Sequence, residues 1–129
     1  MSRLAGRRIL LVEDELLVAM AVENVLRGEG CAIVGPIGRV EPALKAAREE
    51  TLDAAILDVN LAGERVDPIA QALAERKIPF VFTTGYDRSM LPAKHAARPT
   101  LAKPFSASQL IDRVFALLCA DCGAEQASG

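Results

Sequence analysis

Short runs of uninterrupted apolar residues alternate along this chain with longer stretches whose apolar positions recur every three or four residues. Arg8-Ile-Leu-Leu-Val12 is the first run. It ends in two acids and leads into a stretch that puts Val18, Val22, Val25 and Leu26 on one helical face, closed by Gly28 and Gly30. Cys31-Ala-Ile-Val-Gly35 is the second run, and Val40, Ala43, Leu44 and Ala47 again share a helical face. Asp53-Ala-Ala-Ile-Leu-Asp58 is the third, followed by Ile69, Ala72 and Leu73 on a helix that runs to about Lys77. Ile78 to Thr84 is the fourth, with Pro79 near its start where a missing N–H is tolerated. Segment 87–96 predicts a weaker helix interrupted by Pro92. Leu101-Ala102 belongs to a short fifth strand, and a last helix carries Leu110, Ile111, Val114, Leu117 and Leu118. Ser106 and Gln109 have the spacing of a capping box, which fixes where that helix starts.

Strands that are apolar throughout are covered on both faces, so the alternation predicts an α/β fold with right-handed crossovers. The expected architecture is a doubly wound five-stranded parallel sheet of order 2-1-3-4-5, the flavodoxin-like (βα)5 arrangement. A chain of 129 residues is large enough for one such core. Residues 7–120 are expected to form the domain, with residues 1–6 and 121–129 as flexible tails; no linker or repeat divides the rest.

In an open α/β sheet the ligand crevice lies beyond the carboxyl ends of the strands, where strand order reverses. Strand one ends in Glu13-Asp14, strand three in Asp58, strand four in Thr83-Thr84-Gly85 and strand five in Lys103-Pro104. Strand two, away from the reversal, ends in Gly35-Pro36. Singly, each residue has an ordinary explanation: Asp58 as a cap, Glu13 and Asp14 as complements of a helix dipole, Lys103 as a solvated lysine. As a set they bring three carboxylates, a hydroxyl and an ammonium to one mouth. Crowded carboxylates repel, and a hard divalent cation relieves them; an oxygen-only donor set without His or Cys suits Mg2+, with Mn2+ as a substitute. A carboxylate is a nucleophile for phosphoryl transfer, whose transition state places charge on the equatorial oxygens. Mg2+ and Lys103 would meet that charge, and a strand-four threonine hydroxyl would add a neutral donor able to move toward the phosphoryl oxygens.

Composition narrows the partners. With 15 Lys+Arg, 17 Asp+Glu and a net charge of -2, nothing suggests an electrostatic footprint for nucleic acid or membrane. Hydrophobic residues reach 51%, yet every apolar run is broken well before the roughly 18 positions a membrane span needs. The basic N-terminus leads into an apolar stretch that meets Glu13 and Asp14, which argues against a secretory signal. Three cysteines cannot form a closed disulfide framework, so a cytoplasmic location is expected. Cys119 and Cys122 have C-x-x-C spacing but no second pair, and read as incidental thiols at a helix end rather than zinc or redox ligands. His95, in the Pro-interrupted segment, reads as a surface residue and not a phosphohistidine carrier.

Four motifs in order resemble the response-regulator receiver family of two-component signalling: Val12-Glu13-Asp14-Glu15, Leu57-Asp58-Val59-Asn60-Leu61, Thr84-Gly85 and Lys103-Pro104-Phe105. The likeness covers residues 7 to 120. It implies that Asp58 is the phosphoacceptor, Asp14 a direct Mg2+ ligand, Glu13 an acid reaching the metal mainly through water, and the Asn60 carbonyl a further ligand. It implies that Thr84, which directly precedes the small Gly85, is the switch hydroxyl rather than Thr83. Lys103 matches the phosphoryl-binding lysine, with a cis bond to Pro104. Tyr86 and Asn60 hold positions that tune how fast the phosphoryl group is lost in this family. Two departures stand out. Thr100 replaces the usual aromatic three residues before the lysine, which puts the usual hydroxyl-to-aromatic coupling in doubt. Ala62 replaces the usual proline after the phosphoacceptor, from which a more mobile loop is expected.

The run Phe82-Thr-Thr-Gly-Tyr86 is similar to stand-alone receivers of some alpha-proteobacteria. The resemblance therefore implies a stand-alone receiver that takes a phosphoryl group on Asp58 from a histidine kinase or histidine phosphotransfer protein. It would self-catalyse its phosphorylation and dephosphorylation and signal or relay to a downstream protein partner, as a monomer or weak homodimer. With about nine small and polar residues past Ala120, an output module that binds DNA is not expected. A haloacid-dehalogenase-like phosphatase would need a second Asp two residues after the nucleophile, where Asn60 cannot carry the proton. An unphosphorylated scaffold is the other alternative, opposed by the complete set of Asp14, Asp58, Thr84 and Lys103.

Overall fold

The computed structural model describes residues 4–85 and 90–127, with side chains as far as Cys119. Its central strands are β1 (Arg8–Val12) and β3 (Ala54–Asp58), and every residue of β3 is buried because helices cover both of its faces. They pair in parallel from Ile9 with Ala54 to Val12 with Leu57. Strand β2 (Ala32–Ile37) flanks β1 at one edge. A short antiparallel hairpin, β4 (Asn60–Leu61) and β5 (Glu64–Arg65), follows β3. Strands β6 (Phe80–Thr84) and β7 (Thr100–Ala102) complete the main sheet in the order β2-β1-β3-β6-β7. With the hairpin set aside this is the expected 2-1-3-4-5 order.

Helices α1 (Leu16–Gly28) and α4 (Ala107–Ala127) cover one face; α2 (Val40–Glu49) and α3 (Asp67–Glu75) cover the other. Successive strand residues point to opposite faces, and the two cores divide accordingly. Ile9, Leu11, Ile56, Val81 and Leu101 pack against Val22, Leu26, Leu110 and Val114. Leu10, Val12, Leu57, Phe80 and Phe82 pack against Ala43, Ala47, Ile69 and Leu73. Phe80 and Phe82 are fully buried with their rings edge to face at 5.4 Å, and truncating either to alanine costs about 3–5 kcal/mol. The expected capping box forms: Gln109 N–H donates to Ser106 Oγ at 3.0 Å and Ser106 N–H to Gln109 Oε1 at 2.8 Å.

Several boundaries differ from expectation. Residues 4–6, expected to be loose, are seated: Leu4 is buried and Gly6 N–H donates to the Gly30 carbonyl at 2.9 Å. α4 continues beyond residue 120 to Ala127. β2 runs through Gly35-Pro36 to Ile37, because Gly35 at φ 117° passes where a Cβ would meet the Leu11 carbonyl at 2.6 Å. The chain after Asp58 folds into the β4–β5 hairpin, turned by Ala62 at φ 51° and Gly63 at φ 85°. Within segment 87–96, residues 87–89 lie outside the described residues; Ala93–His95 forms one 3-10 turn instead of a longer helix, as Pro92 dictates. His95 is half-buried, edge-on to Phe80 at 5.8 Å, while the Arg98 guanidinium lies 4.5 Å from the same ring.

Candidate functional site

Strand alternation decides which side chains meet at the carboxyl end of the sheet. Leu11, Ile56, Val81 and Leu101 face α1 and α4, so two positions later Glu13, Asp58, Thr83 and Lys103 lie on that side. Glu13 and Asp58 are each 4% exposed. The Lys103 ammonium, its side chain 14% exposed, contacts Glu13 Oε1 at 2.9 Å, Glu15 Oε1 at 3.0 Å and Asp58 Oδ2 at 3.2 Å. An ammonium has three protons, and each finds a carboxylate. The second oxygens of Glu13 and Asp58 are held by main chain: Glu15 N–H donates to Glu13 Oε2 and Asn60 N–H to Asp58 Oδ1, both at 3.1 Å. Lys103 itself is tied to β6, its N–H donating to the Thr84 carbonyl at 2.6 Å, and its bond to Pro104 is cis.

One ammonium does not neutralise this cluster. Burial, and then the Asp58 carboxyl beside it, push the Glu13 pKa from 4.5 up to about 7, against the pull of Lys103. Asp14 stands exposed at the rim, yet lost hydration and the nearby Asp58 charge raise its pKa as well. Burial disfavours the charge on Lys103, but hydrogen bonds to Glu13 and Glu15 and the Asp58 charge outweigh it, so the ammonium is held more firmly than usual. The two partners of the Lys103–Glu13 bridge thus differ: the lysine stays charged while the acid is about half ionised near neutral pH. That is the electrostatics of a site short of positive charge.

Oxygens of Glu13, Asp14 and Asp58 all lie within 4.8 Å of one another. An oxygen-only donor set of this kind fits a hard divalent cation. Asn60 Oδ1 accepts from Gly63 N–H at 2.7 Å, which leaves the Asn60 main chain for any ligand role. Asp14, Asp58, Asn60, Ala62, Gly85 and Lys103 line a crevice of about 290 Å3. Gly38 keeps α2 close, since a Cβ there would sit 3.3 Å from Asp14 Cα.

The structure brings Glu13, Asp14, Asp58, Asn60 and Lys103 together as the sequence predicted. Thr84 is buried at the end of β6, and Gly85 rather than Thr84 lines the crevice. Tyr86 lies outside the described residues. Two residues stand out to which the sequence motifs assign no role. Glu15, third in the run of acids after β1, takes one proton of Lys103. Thr83 is 1% exposed and its Oγ1 has no hydrogen-bond partner, an arrangement that costs about 1–3 kcal/mol. Elsewhere Cys31 is buried and Cys119 is an exposed free thiol, while the Cys122 side chain lies outside those described. Among the described residues no helix is long and apolar enough to cross a membrane.

Comparison with known proteins gives the family. Residues 9–115 match the family described as response regulator receiver domain. Transcriptional regulatory protein PdtaR of Mycobacterium tuberculosis is 33% identical over 112 residues, which cover 84% of this chain and 55% of that protein. The chain thus spans about half the length of that curated relative. The solution structure of SdrG from Sphingomonas melonis Fr1 is 41% identical with a TM-score of 0.77, covering 92% of this chain and 99% of that one. The BeF3-activated conformation of SdrG from Pseudomonas melonis Fr1 is 43% identical with a TM-score of 0.72, covering 88% and 98%.

Proposed function

The chain belongs to the response regulator receiver family of two-component signalling, and from that premise we propose that Asp58 accepts a phosphoryl group from a histidine kinase or histidine phosphotransfer protein in a Mg2+-dependent reaction. The observation that carries the reading is the contact of Lys103 Nζ with Asp58 Oδ2 at 3.2 Å inside an acidic cluster short of positive charge. Asp58 is the nucleophile: its carboxylate oxygen bonds to phosphorus as the P–N bond to the donor imidazole breaks. Lys103 moves from the carboxylates onto the phosphoryl oxygens, where charge develops, and Thr84 offers a hydroxyl from β6. Glu13, Asp14, Asp58 and the Asn60 main chain would hold Mg2+, which supplies the further positive charge this transfer needs.

Protein donors and partners suit the surface beside the crevice. Leu16, Leu17 and Met20 of α1 are 69%, 81% and 48% exposed. Leu17 also borders a largely apolar groove of about 580 Å3 between α1 and α4 that reaches Lys103 and Phe105. Large apolar residues exposed together beside a reactive carboxylate mark a protein contact. A receiver domain that signals through such contacts is the reading this surface supports, and the solved SdrG chain is matched over 99% of its length.

Intact-mass measurement after incubation with Mg2+ and acetyl phosphate tests the proposal. The expected result is a gain of one phosphoryl group that vanishes in Asp58→Asn. An unchanged mass in the wild-type chain would favour an unphosphorylated scaffold, and steady hydrolysis of a small phosphoester would favour a phosphatase.

A further inference from the structure

Among the described residues, the Thr83 hydroxyl is the buried side-chain polar atom left without a hydrogen-bond partner. Thr83 is 1% exposed, and its Oγ1 meets no donor or acceptor. Its position is not remote from the chemistry. The register pairs Thr83 of β6 directly with Asp58 of β3, one strand spacing of about 4.8 Å away. Alternation places both side chains toward α1 and α4, the side on which Val81 and Ile56 are packed two residues earlier. The strand is fixed there, because the Thr83 carbonyl accepts from Val59 N–H at 3.1 Å, immediately after Asp58. Thr84, the next residue of β6, is a separate hydroxyl, the one the proposed phosphoryl site uses.

A hydroxyl has one proton to donate and a freely rotating O–H, whereas a carboxylate has about four acceptor positions. Asp58 uses one on Asn60 N–H and one on Lys103. When Lys103 turns to a phosphoryl group, Asp58 loses that ammonium, and the nearest uncommitted donor in its own row of the sheet is Thr83. We propose that Thr83 is a positioning residue that donates a hydrogen bond to the Asp58 carboxyl during phosphoryl loss. The inference rests on Asp58 being the phosphoacceptor.

The direction of the effect follows from the bonds that change. In hydrolysis, water oxygen bonds to phosphorus, the P–O bond to Asp58 breaks, its electron pair returns to the carboxylate, and the water proton leaves with inorganic phosphate. Negative charge grows on Asp58, and a donor binds that charged form more strongly than the acyl phosphate. Thr83 therefore favours loss of the phosphoryl group and shortens its lifetime.

Wild type, Thr83→Val and Thr83→Ser are loaded with acetyl phosphate and Mg2+, freed of donor, and followed by intact mass as the phosphoryl group decays. Valine has nearly the shape of threonine and retains the fold, which circular dichroism checks. Decay in Thr83→Val is expected to slow roughly three- to tenfold, the scale of one modest hydrogen bond, with Thr83→Ser close to wild type. If Thr83→Val is loaded and decays at the wild-type rate, the hydroxyl is merely a buried orphan and the inference is overturned while the phosphoacceptor assignment stands. If the wild-type chain takes no phosphoryl group at all, both fall together.

Discussion

At the amino end of the strands, Arg7 and Arg8 face Glu50 and Asp53; at the carboxyl end, Glu13, Asp14, Glu15 and Asp58 gather around Lys103. The first group is balanced and wet: Arg8 Nη2 lies 3.2 Å from Glu50, Arg7 lies 3.9 Å from Asp53, and the four side chains are 38–47% exposed. Such pairs contribute about 0–1 kcal/mol. The second group is unbalanced, and at its centre it is dry, with Lys103, Glu13 and Asp58 side chains 14%, 2% and 5% exposed. Charges that only join elements are matched and left in water. Those at the opposite rim are gathered in excess and buried, which costs stability and makes sense only if something positive arrives.

Lys103→Met breaks the contrast most severely. It removes the ammonium that contacts three carboxylates at once. Phosphoryl uptake from acetyl phosphate, followed by mass, is expected to fall about 100-fold or more, the scale for losing a charge aimed at the transition state. Folding is expected to weaken by up to about 3–5 kcal/mol in urea, less whatever Glu13 recovers by taking a proton. An uptake rate within a few-fold of wild type would show that the lysine is structural.

Glu13 sharpens the comparison through pH. Its folded pKa, about 7, lies above the unfolded 4.5, so between these values the folded chain binds more protons. Stability from this group is therefore fully present below about 4.5 and is lost as pH rises through 7. In metal-free buffer, wild type minus Glu13→Gln is expected to lose roughly 1–3 kcal/mol of unfolding free energy between pH 5 and pH 8. Asp14, also raised, acts with the same sign. Millimolar Mg2+ is expected to remove most of that loss. Identical pH profiles for the two chains in thermal denaturation would contradict the buried-charge account.

The smallest effect belongs to the amino rim. Glu50→Gln removes one exposed pair and is expected to change stability by less than about 1 kcal/mol, without altering the response to Mg2+. A larger change in urea unfolding would mean that the two rims differ less than their exposure implies.

The sequence displays most of this because a parallel sheet writes its topology in uninterrupted apolar runs and its crevice in the residues that end them. Asp58, Lys103 and the Glu13-Asp14 pair are legible for that reason. Glu15 is legible only in part, since whether it reaches Lys103 depends on how β7 is placed beside α1. Thr83 and Thr84 look alike in sequence; the fold separates them by pairing Thr83 with Asp58 and leaving its buried hydroxyl without a partner. The β4–β5 hairpin was hidden because its strands are two residues each and its turn uses Ala62 in a conformation that side chains rarely adopt. The seat of Leu4 and the extension of α4 to Ala127 depend on packing and helix propagation that short polar or terminal segments do not announce.

The account turns on the carboxyl rim being a divalent-cation site, and Mn2+ titration of the metal-free chain followed by paramagnetic broadening of its amide resonances reads this directly. Saturable broadening centred on residues 13, 14, 58 and 60, displaced by Mg2+ and lost in Asp58→Asn, is the predicted result. Broadening that never saturates, or that centres on the exposed acids at the amino rim, would contradict it.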